Sequence, residues 1–239
     1  MSKVSSKYQI TLPRDLARSH RILPGEDVVF EEAGSALYLR RGQAAEPHAD
    51  SVEGRLAAFD RASQRQEARN RAYPASLKSS GGRGWTREEL YQRSSMRCLF
   101  DTKLLVYRFD PRDARKQQVA SELLRTSLKA GAAVIAQQCL VEFVAATTRP
   151  LRDADGEALL DPTDAAYEAE DLCRQFEVLY PRQEQFTTAL RGWRTYGMSW
   201  FDAHLWSFAE YYQVERIYSE DFQHQRIYGR VQIINPFVD

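Results

Sequence analysis

Four acidic residues in the second half of the chain each follow a predicted strand, where a side chain is well placed for chemistry. They are Asp101 after CLF, Glu142 one helical turn after AAVIAQ, Asp202 in the first turn of a helix, and Asp221 after VERIYS. In open α/β sheets, functional residues lie outside the carboxyl ends of the strands. We therefore expect the four carboxylates to converge at one edge of a parallel sheet.

Converged carboxylates repel one another unless a positive charge lies among them. A hard divalent cation such as Mg²⁺ or Mn²⁺ prefers oxygen ligands, whereas the chain lacks the Cys and His spacing of a zinc site. Each acid also has an ordinary structural interpretation: Asp202 as a helix N-terminal residue, Asp221 as part of a Ser-Glu-Asp turn, and Glu142 as a solvated helix residue. Asp101 is the hardest to explain this way, because an acid between CLF and LLVY costs several kcal/mol if buried without a partner.

The elements that must position these acids alternate along residues 96–239. Strands are predicted at 97–100, 132–137, 214–219 and 231–235. Helices are predicted at 114–129, 138–148, 163–179, 183–193 and 200–212. This alternation predicts an α/β domain with a mostly parallel sheet flanked by helices.

The first half of the chain has a different character. Residues 4–41 are predicted to form short strands, among them KYQITL, VVFEE and SALYLRR, with one short helix in PRDLARSHRI. Because a unit of about forty residues rarely supports a core alone, we expect it to dimerise.

Residues 46–95 are predicted to be an arm that becomes ordered by lying on another surface. Its parts are an Arg-rich helix at 56–72, the linker YPASLKSSGGRG, and a short helix with a Thr86–Glu89 capping box. Residues 1–95 hold 16 Lys and Arg against 12 Asp and Glu, and residues 96–239 hold 17 against 21. Opposite charges on the two halves suggest that they contact each other.

Composition excludes some classes of protein. No apolar run approaches the roughly 20 residues that span a bilayer, and MSKVSSKYQI lacks a signal-peptide core. Cys98, Cys139 and Cys173 form neither a disulfide framework nor a CxxC metal pair, so we expect a cytoplasmic protein with no membrane partner.

Four motifs of the second half, in order, resemble those of the PIN-domain nucleases. They are FDTKLLVYRFD, LVEFVAATTR, SWFDAHLWSFAE, and YSEDFQ followed by GRVQIINPF, the last being similar to the close of the VapC ribonuclease toxins. The front end, VSSKYQITLPRDLARSHRILPGEDVVF, resembles the AbrB-like DNA-binding antitoxins, and RGWTREELYQR resembles the tail of antitoxins that accompany such toxins. The chain thus resembles a VapB-type antitoxin joined to a VapC-type toxin, with Met96 at the seam.

The resemblance implies three domains: 1–45 for swapped-hairpin dimerisation and DNA binding, 46–95 as the arm that wraps the toxin, and 96–239 as the ribonuclease. It also implies that the four acids hold one or two Mg²⁺ or Mn²⁺ ions, which orient and deprotonate a water for in-line attack on an RNA phosphodiester. Thr102 is then expected to position a ligand or a phosphate oxygen, and Glu220 is a site neighbour. The implied partners are substrate RNA, operator DNA, a homo-oligomer formed through 1–45, and an antitoxin–toxin contact within or between chains.

Basic residues acquire two roles from the same resemblance. Those expected to meet DNA phosphates are Lys7, Arg14, Arg18 and Arg21. Gln9 and Thr11 are either DNA contacts or cross-strand surface partners. An arginine of the arm is expected to enter the acidic site and displace metal, because a planar guanidinium pairs well with carboxylates. Candidates around the Trp85 anchor are Arg83 and Arg87, and those on the preceding helix are Arg65, Arg69 and Arg71.

Lys103 departs from the resemblance, since the family has Asn at this place in its first motif. The ammonium either pairs with the acids and lowers metal affinity, or extends away on its long stem and leaves the site intact. Two functions therefore stay open: a metal-dependent ribonuclease held by its own antitoxin segment, and a DNA-binding autoregulator with a catalytically silent PIN domain. A phosphotransferase with Asp101 as nucleophile is disfavoured, because Lys103 occupies the second acid position of the DxD pattern.

Overall fold

A computed structural model of the 239-residue chain describes residues 5–7, 9–19, 28–33, 36–41, 51–72, 96–151 and 157–238. The chain divides into two compact units, Met1–Pro47 and His48–Asp239.

The first unit contains a short helix and a hairpin. Helix α1 is Arg14–Ser19, and strands β1, Val28–Ala33, and β2, Ala36–Arg41, pair antiparallel. The predicted helix and these two strands are confirmed.

The predicted strand KYQITL is wrong for the residues that the structure describes. Residues 9–13 form no strand, and the Ser5 hydroxyl accepts a hydrogen bond from the Gln9 backbone N–H at 3.0 Å. An alternating pattern makes a strand only where a neighbouring strand supplies the ladder, and none of the described residues pairs with this segment. Ile10 and Phe30 are 45% and 52% exposed, so this unit presents apolar surface.

A six-stranded sheet forms the centre of the second unit. Its strands are β3 Cys98–Phe100, β4 Ala133–Ala136, β5 Glu177–Leu179, β6 Arg216–Tyr218, β7 Ile227–Tyr228 and β8 Val231–Ile234. Their order is β5-β4-β3-β6-β8-β7, and every pair is parallel except the edge pair β7–β8. The predicted α/β class and mostly parallel sheet are confirmed.

Seven described helices accompany this sheet. They are α2 Val52–Ala72, α3 Thr102–Tyr107, α4 Ala114–Lys129, α5 Gln137–Thr147, α6 Pro162–Gln175, α7 Gln183–Tyr196 and α8 Trp200–Tyr211. The Arg-rich helix of the arm is confirmed as α2, which lies in the same compact unit as the sheet. The short helix expected at Thr86–Glu89 lies outside the described residues.

The prediction of one helix over 163–179 is wrong at its end. Helix α6 stops at Gln175, and Glu177–Leu179 form β5 beside β4. The buried Phe176 adopts an extended backbone, which ends the helix and starts the strand. Local sequence favours helix through this stretch, and pairing with a strand about forty residues earlier overrides it.

The core of the second unit lies on both faces of the sheet. Leu99, Phe100 and Ile135 are fully buried, as expected of central parallel strands that carry helices on each side. Among the described helices, none is long and apolar enough to cross a membrane.

Candidate active site

Asp101 lies where the chain changes direction in the sheet. It follows β3, which has β4 on one side and β6 on the other, so the crevice at the carboxyl ends of β3 and β6 is the switch point of the topology. Its backbone N–H donates to the Tyr218 carbonyl at 3.1 Å, and its side chain accepts from the Ser219 hydroxyl at 2.5 Å. The residue is only 7% exposed, so one buried carboxylate stands at the floor of the crevice.

Glu142 is held in place through both of its carboxylate oxygens. On one side, the Thr102 hydroxyl donates to Oε2 at 2.6 Å, which joins Glu142 to the residue next to Asp101. On the other, the Gln138 amide donates to Oε1 at 2.7 Å from one turn earlier on α5. Thr102 therefore positions an acid in this structure, while its expected contact with a phosphate oxygen stays a prediction.

Gln138 is itself oriented by α8. Its amide nitrogen also donates to the Phe201 carbonyl at 3.2 Å, and its Oε1 lies 2.7 Å from His204 Nδ1. Because the Gln138 nitrogen faces Glu142, its oxygen must accept, so His204 carries a proton on Nδ1. A chain of hydrogen bonds thus links α8 to Glu142.

Asp202 begins α8, as predicted. Ser199 caps this helix by accepting from the Asp202 backbone N–H at 3.1 Å. Burial raises the pKa of Asp202, and the negative charges of Asp221 and Glu142 raise it further.

Asp221 follows β6 and is tied to Asp101 through Ser219. The Ser219 hydroxyl donates to Asp101 and accepts from the Asp221 backbone N–H at 3.1 Å. The Asp221 side chain pairs with Lys103, whose Nζ lies 2.5 Å from Oδ1.

Glu220, the predicted site neighbour, is neutralised by other residues. Its carboxylate accepts from the Tyr107 hydroxyl and from Lys116 Nζ at 2.6 Å, and Lys103 lies 3.5 Å away. Although partial burial opposes it, the hydrogen bonds from Lys116 and Tyr107 lower the pKa of Glu220. Glu220 therefore belongs to an ion-pair cluster at the rim of the site.

The four predicted acids form one electrostatic group. Burial raises the pKa of Asp101 to about 6, the charges of Asp221 and Glu142 contribute, and the Ser219 hydrogen bond opposes the shift. Asp202 responds to the same two neighbours. The structure thus collects negative charge at the carboxyl ends of β3 and β6, and an added cation would relieve the repulsion.

The donor set of this group fits a hard divalent cation, because all four side chains offer carboxylate oxygens. The arrangement is nevertheless open: among the described residues, no three His, Cys, Asp or Glu side chains stand close enough together to hold a metal ion. Lys103 is the cation that the structure does place here, so of the two alternatives for its side chain, pairing with the acids is the one observed.

Sequence reasoning missed the residues that orient the acids. Gln138 had a usable signal, since it precedes Glu142 by four positions on a helix and therefore shares its face. Ser219 stands in a turn-like YSED stretch, where a hydroxyl is expected to bond to backbone. His204 and Lys116 had no signal, because their partners come from distant parts of the chain.

The structure places the expected DNA-binding residues in the first unit. Those with exposed side chains are Lys7, Gln9, Thr11 and Arg14. Arg18 lies on α1, and Arg21 lies outside the described residues.

The arm residues divide between two situations. Arg83, Trp85 and Arg87 lie outside the described residues. Arg69, on α2, lies 2.7 Å from Glu168 and 3.4 Å from Asp164, both on α6, and none of its described contacts is with the four acids of the site.

A parallel sheet with acids at its switch point defines an α/β domain with a candidate hydrolytic site, and comparison with known proteins specifies its family. The PIN domain model matches residues 98–230, more than half of the chain, and the chain therefore belongs to the PIN domain family. A second model, described as antidote-toxin recognition MazE, bacterial antitoxin, matches residues 1–45. The predicted combination of an antitoxin-type domain and a PIN domain in one polypeptide is confirmed.

Among solved structures, a chain of a toxin-antitoxin complex from Klebsiella pneumoniae is similar to this one. The identity is 16% and the TM-score 0.41, over 59% of this chain and 98% of that chain. No curated protein matches the chain.

Proposed function

We propose that the PIN domain is a metal-dependent endoribonuclease and that the antitoxin-type segment of the same chain restrains it. The observation that carries the proposal is the electrostatic group at the switch point, where burial and neighbouring charges raise the pKa of Asp101 to about 6. Such a concentration of carboxylates is unfavourable for folding, which is typical of functional sites.

Asp101, Glu142, Asp202 and Asp221 would hold Mg²⁺ or Mn²⁺. A bound divalent ion would supply an activated water and neutralise charge on the phosphodiester. The protein residues do the positioning: Ser219 orients Asp101, and Thr102 with Gln138 orients Glu142. Lys103 occupies Asp221 and would compete with a cation there.

Cleavage of single-stranded RNA by the full chain tests this proposal. We expect cleavage that requires Mn²⁺ or Mg²⁺ and that Asp101→Asn reduces by a factor of 100 or more, roughly the scale of losing one essential group. Replacing Arg83 and Arg87 by Ala should increase cleavage if these arginines block the site. Metal-dependent cleavage that survives Asp101→Asn would contradict the proposal.

A second candidate function is a DNA-binding autoregulator whose PIN domain is catalytically silent. The ion pair of Lys103 with Asp221 favours it, because an ammonium already satisfies one of the proposed ligands. Lys103→Asn separates the two functions: increased Mn²⁺ affinity with a gain of nuclease activity supports an attenuated enzyme, whereas neither gain, with DNA binding intact, supports the silent domain. The exposed Lys129, replaced by Asn, is the matched control.

In either function, the first unit would bind operator DNA and form a homo-oligomer. The exposed Ile10 and Phe30 and the missing partner for KYQITL support a dimer, since pairing with a second chain would supply the ladder and cover apolar surface. A cytoplasmic location, the contact between antitoxin and toxin segments within or between chains, and the domain limits 1–45, 46–95 and 96–239 also stay predictions.

A further inference from the structure

Helix α2, which precedes the family match at residue 98, buries one face against the PIN domain. Phe59 and Ala62 are 1% and 0% exposed, and Gln66 is 5% exposed. Spacings of three and four place them on one side of the helix. Phe59 belongs to the same buried cluster as Leu124 of α4 and Leu172 of α6, so α2 contributes to the main core.

The PIN domain supplies a buried arginine whose partners come from α2. Arg108 is 2% exposed, and its guanidinium donates to the Phe59 carbonyl at 2.9 Å and to the Ser63 hydroxyl at 3.2 Å. It also lies over the Phe59 ring at 3.8 Å, and Gln175 of α6 is its remaining described acceptor, at 2.9 Å. Removal of α2 would therefore leave a charged group with one acceptor in a half-built core.

Two arginines of α2 neutralise a pair of acids on α6. Arg65 donates to Glu168 through Nε at 3.2 Å and Nη2 at 3.1 Å, and it also pairs with Asp171. Arg69 donates to Glu168 at 2.7 Å. Because the Glu168 side chain is only 1% exposed, its charge depends on these two arginines rather than on water.

Polar contacts continue along α4. Asp60 receives both nitrogens of the Arg125 fork, at 2.8 and 3.0 Å. One and a half turns later Gln66 donates to the Phe109 carbonyl at 3.2 Å, and Asn70 donates to Gln117 at 3.0 Å. The helix is thus attached at its start, middle and end.

We infer that α2 is a permanent helix of the PIN domain rather than a releasable part of the inhibitor. The folding unit of the domain begins at about residue 51, and the sequence seam at Met96 is not a folding boundary. Loss of the antitoxin-type domain at 1–45 would leave α2 in place, so inhibition must be relieved by a step that does not remove this helix. The inference stands on packing and ion pairs away from the four acids, and it holds whether or not the site is active.

The test separates α2 from the PIN domain covalently within the full chain. A specific protease site is inserted between residues 73 and 95, the purified protein is cut, and the products are passed over a gel-filtration column in about 150 mM salt. We expect the two fragments to elute together and to unfold in a single thermal transition close to that of the uncut chain. Arg65→Ala combined with Arg69→Ala should weaken retention roughly 100-fold or cause the C-terminal fragment to aggregate, because Glu168 loses both counter-charges. Arg71→Ala is the matched control, since Arg71 is exposed on the same helix and its described hydrogen bond is to Glu67 within α2.

Two results would overturn the inference. One is separation of the cut fragments with an unchanged thermal transition in the C-terminal fragment, which would make α2 a removable ligand. The other is a double variant that retains the fragment as well as Arg71→Ala does. Because the readout is association and unfolding, a failure here is distinct from a failure to cleave RNA.

Discussion

At the scale of single residues, Asp101 holds a charge that the fold disfavours. Its pKa is raised from 3.8 to about 6, chiefly by burial, so the native state binds more protons than the unfolded state between these values. The free energy of unfolding should therefore decrease as pH rises from about 4 to 6 and stay level above that range.

Asp101→Asn should stabilise the protein at pH 7.5 in the presence of a chelator. The neutral amide removes the buried charge, and a shift of this size corresponds to roughly 2–3 kcal/mol at most. Thermal unfolding at pH 7.5 and below pH 4 checks this, because the advantage should vanish once Asp101 is protonated. Glu122→Gln, at an exposed acid of α4, is the control. Added Mn²⁺ should stabilise the wild type more than Asp101→Asn, and equal stabilisation of both would argue against Asp101 as a ligand.

The residue types at the site followed from the sequence, but their orientation did not. A carboxylate after a strand is visible in the printed chain, and it was placed correctly for Asp101, Asp202 and Asp221. The pairing of Lys103 with Asp221 and the link from His204 through Gln138 each join residues more than sixty positions apart. Such contacts depend on which strands and helices are neighbours, which local patterns do not specify.

At the scale of elements, the pair α7 and α8 carries Asp202 and depends on one close approach. Gly192 of α7 faces the indole of Trp206 on α8, where an added Cβ would overlap the ring. Trp206 is 1% exposed, and its Nε1 donates to the Tyr228 carbonyl at 3.0 Å, so the ring has no room to move.

Gly192→Ala should therefore destabilise the second unit by about 2 kcal/mol through overpacking. For a domain of this size, that corresponds to a fall of roughly 4–8 °C in the thermal transition, measurable by circular dichroism. Thr195→Ala, at an exposed position of the same helix, should change the transition little. A Gly192→Ala protein with unchanged stability would show that the α7–α8 packing is looser than described.

Predictability of the elements followed the strength of their periodicity. The helix predicted at 114–129 is α4 to the residue, because its apolar face is regular and Asp113 caps it. Strand β5 was missed because Glu177–Leu179 continues a helical pattern, and its neighbour β4 alone makes it a strand. Helix α2 has few apolar residues, so its depth of burial was not visible in the sequence.

At the scale of the whole molecule, the chain divides at Pro47–His48 into two compact units of different composition. The half that contains the first unit carries the excess of positive charge, which suits contact with phosphates.

We expect a chain of residues 48–239 to fold and to lose DNA binding, while Lys7→Ala in the full chain should weaken DNA binding evenly across sequences. Removal of one phosphate contact should also lower the slope of log affinity against log salt by about 1 per bound site. Fluorescence anisotropy with labelled duplex DNA at several salt concentrations measures both effects. Undiminished DNA binding by residues 48–239 would place the contact surface in the PIN half instead.

The sequence by itself determined the class of each half, the order of most strands and helices, and the acids available for chemistry. These depend on local patterns: apolar runs, helical periodicity, and short motifs that resemble known families. The tertiary structure decided that β3 lies between β4 and β6, which brings Asp101 to Ser219, and that α2 packs into the core over Arg108. Both depend on contacts between distant segments, and the favourable energy of such contacts arises only when the folded chain brings their surfaces together.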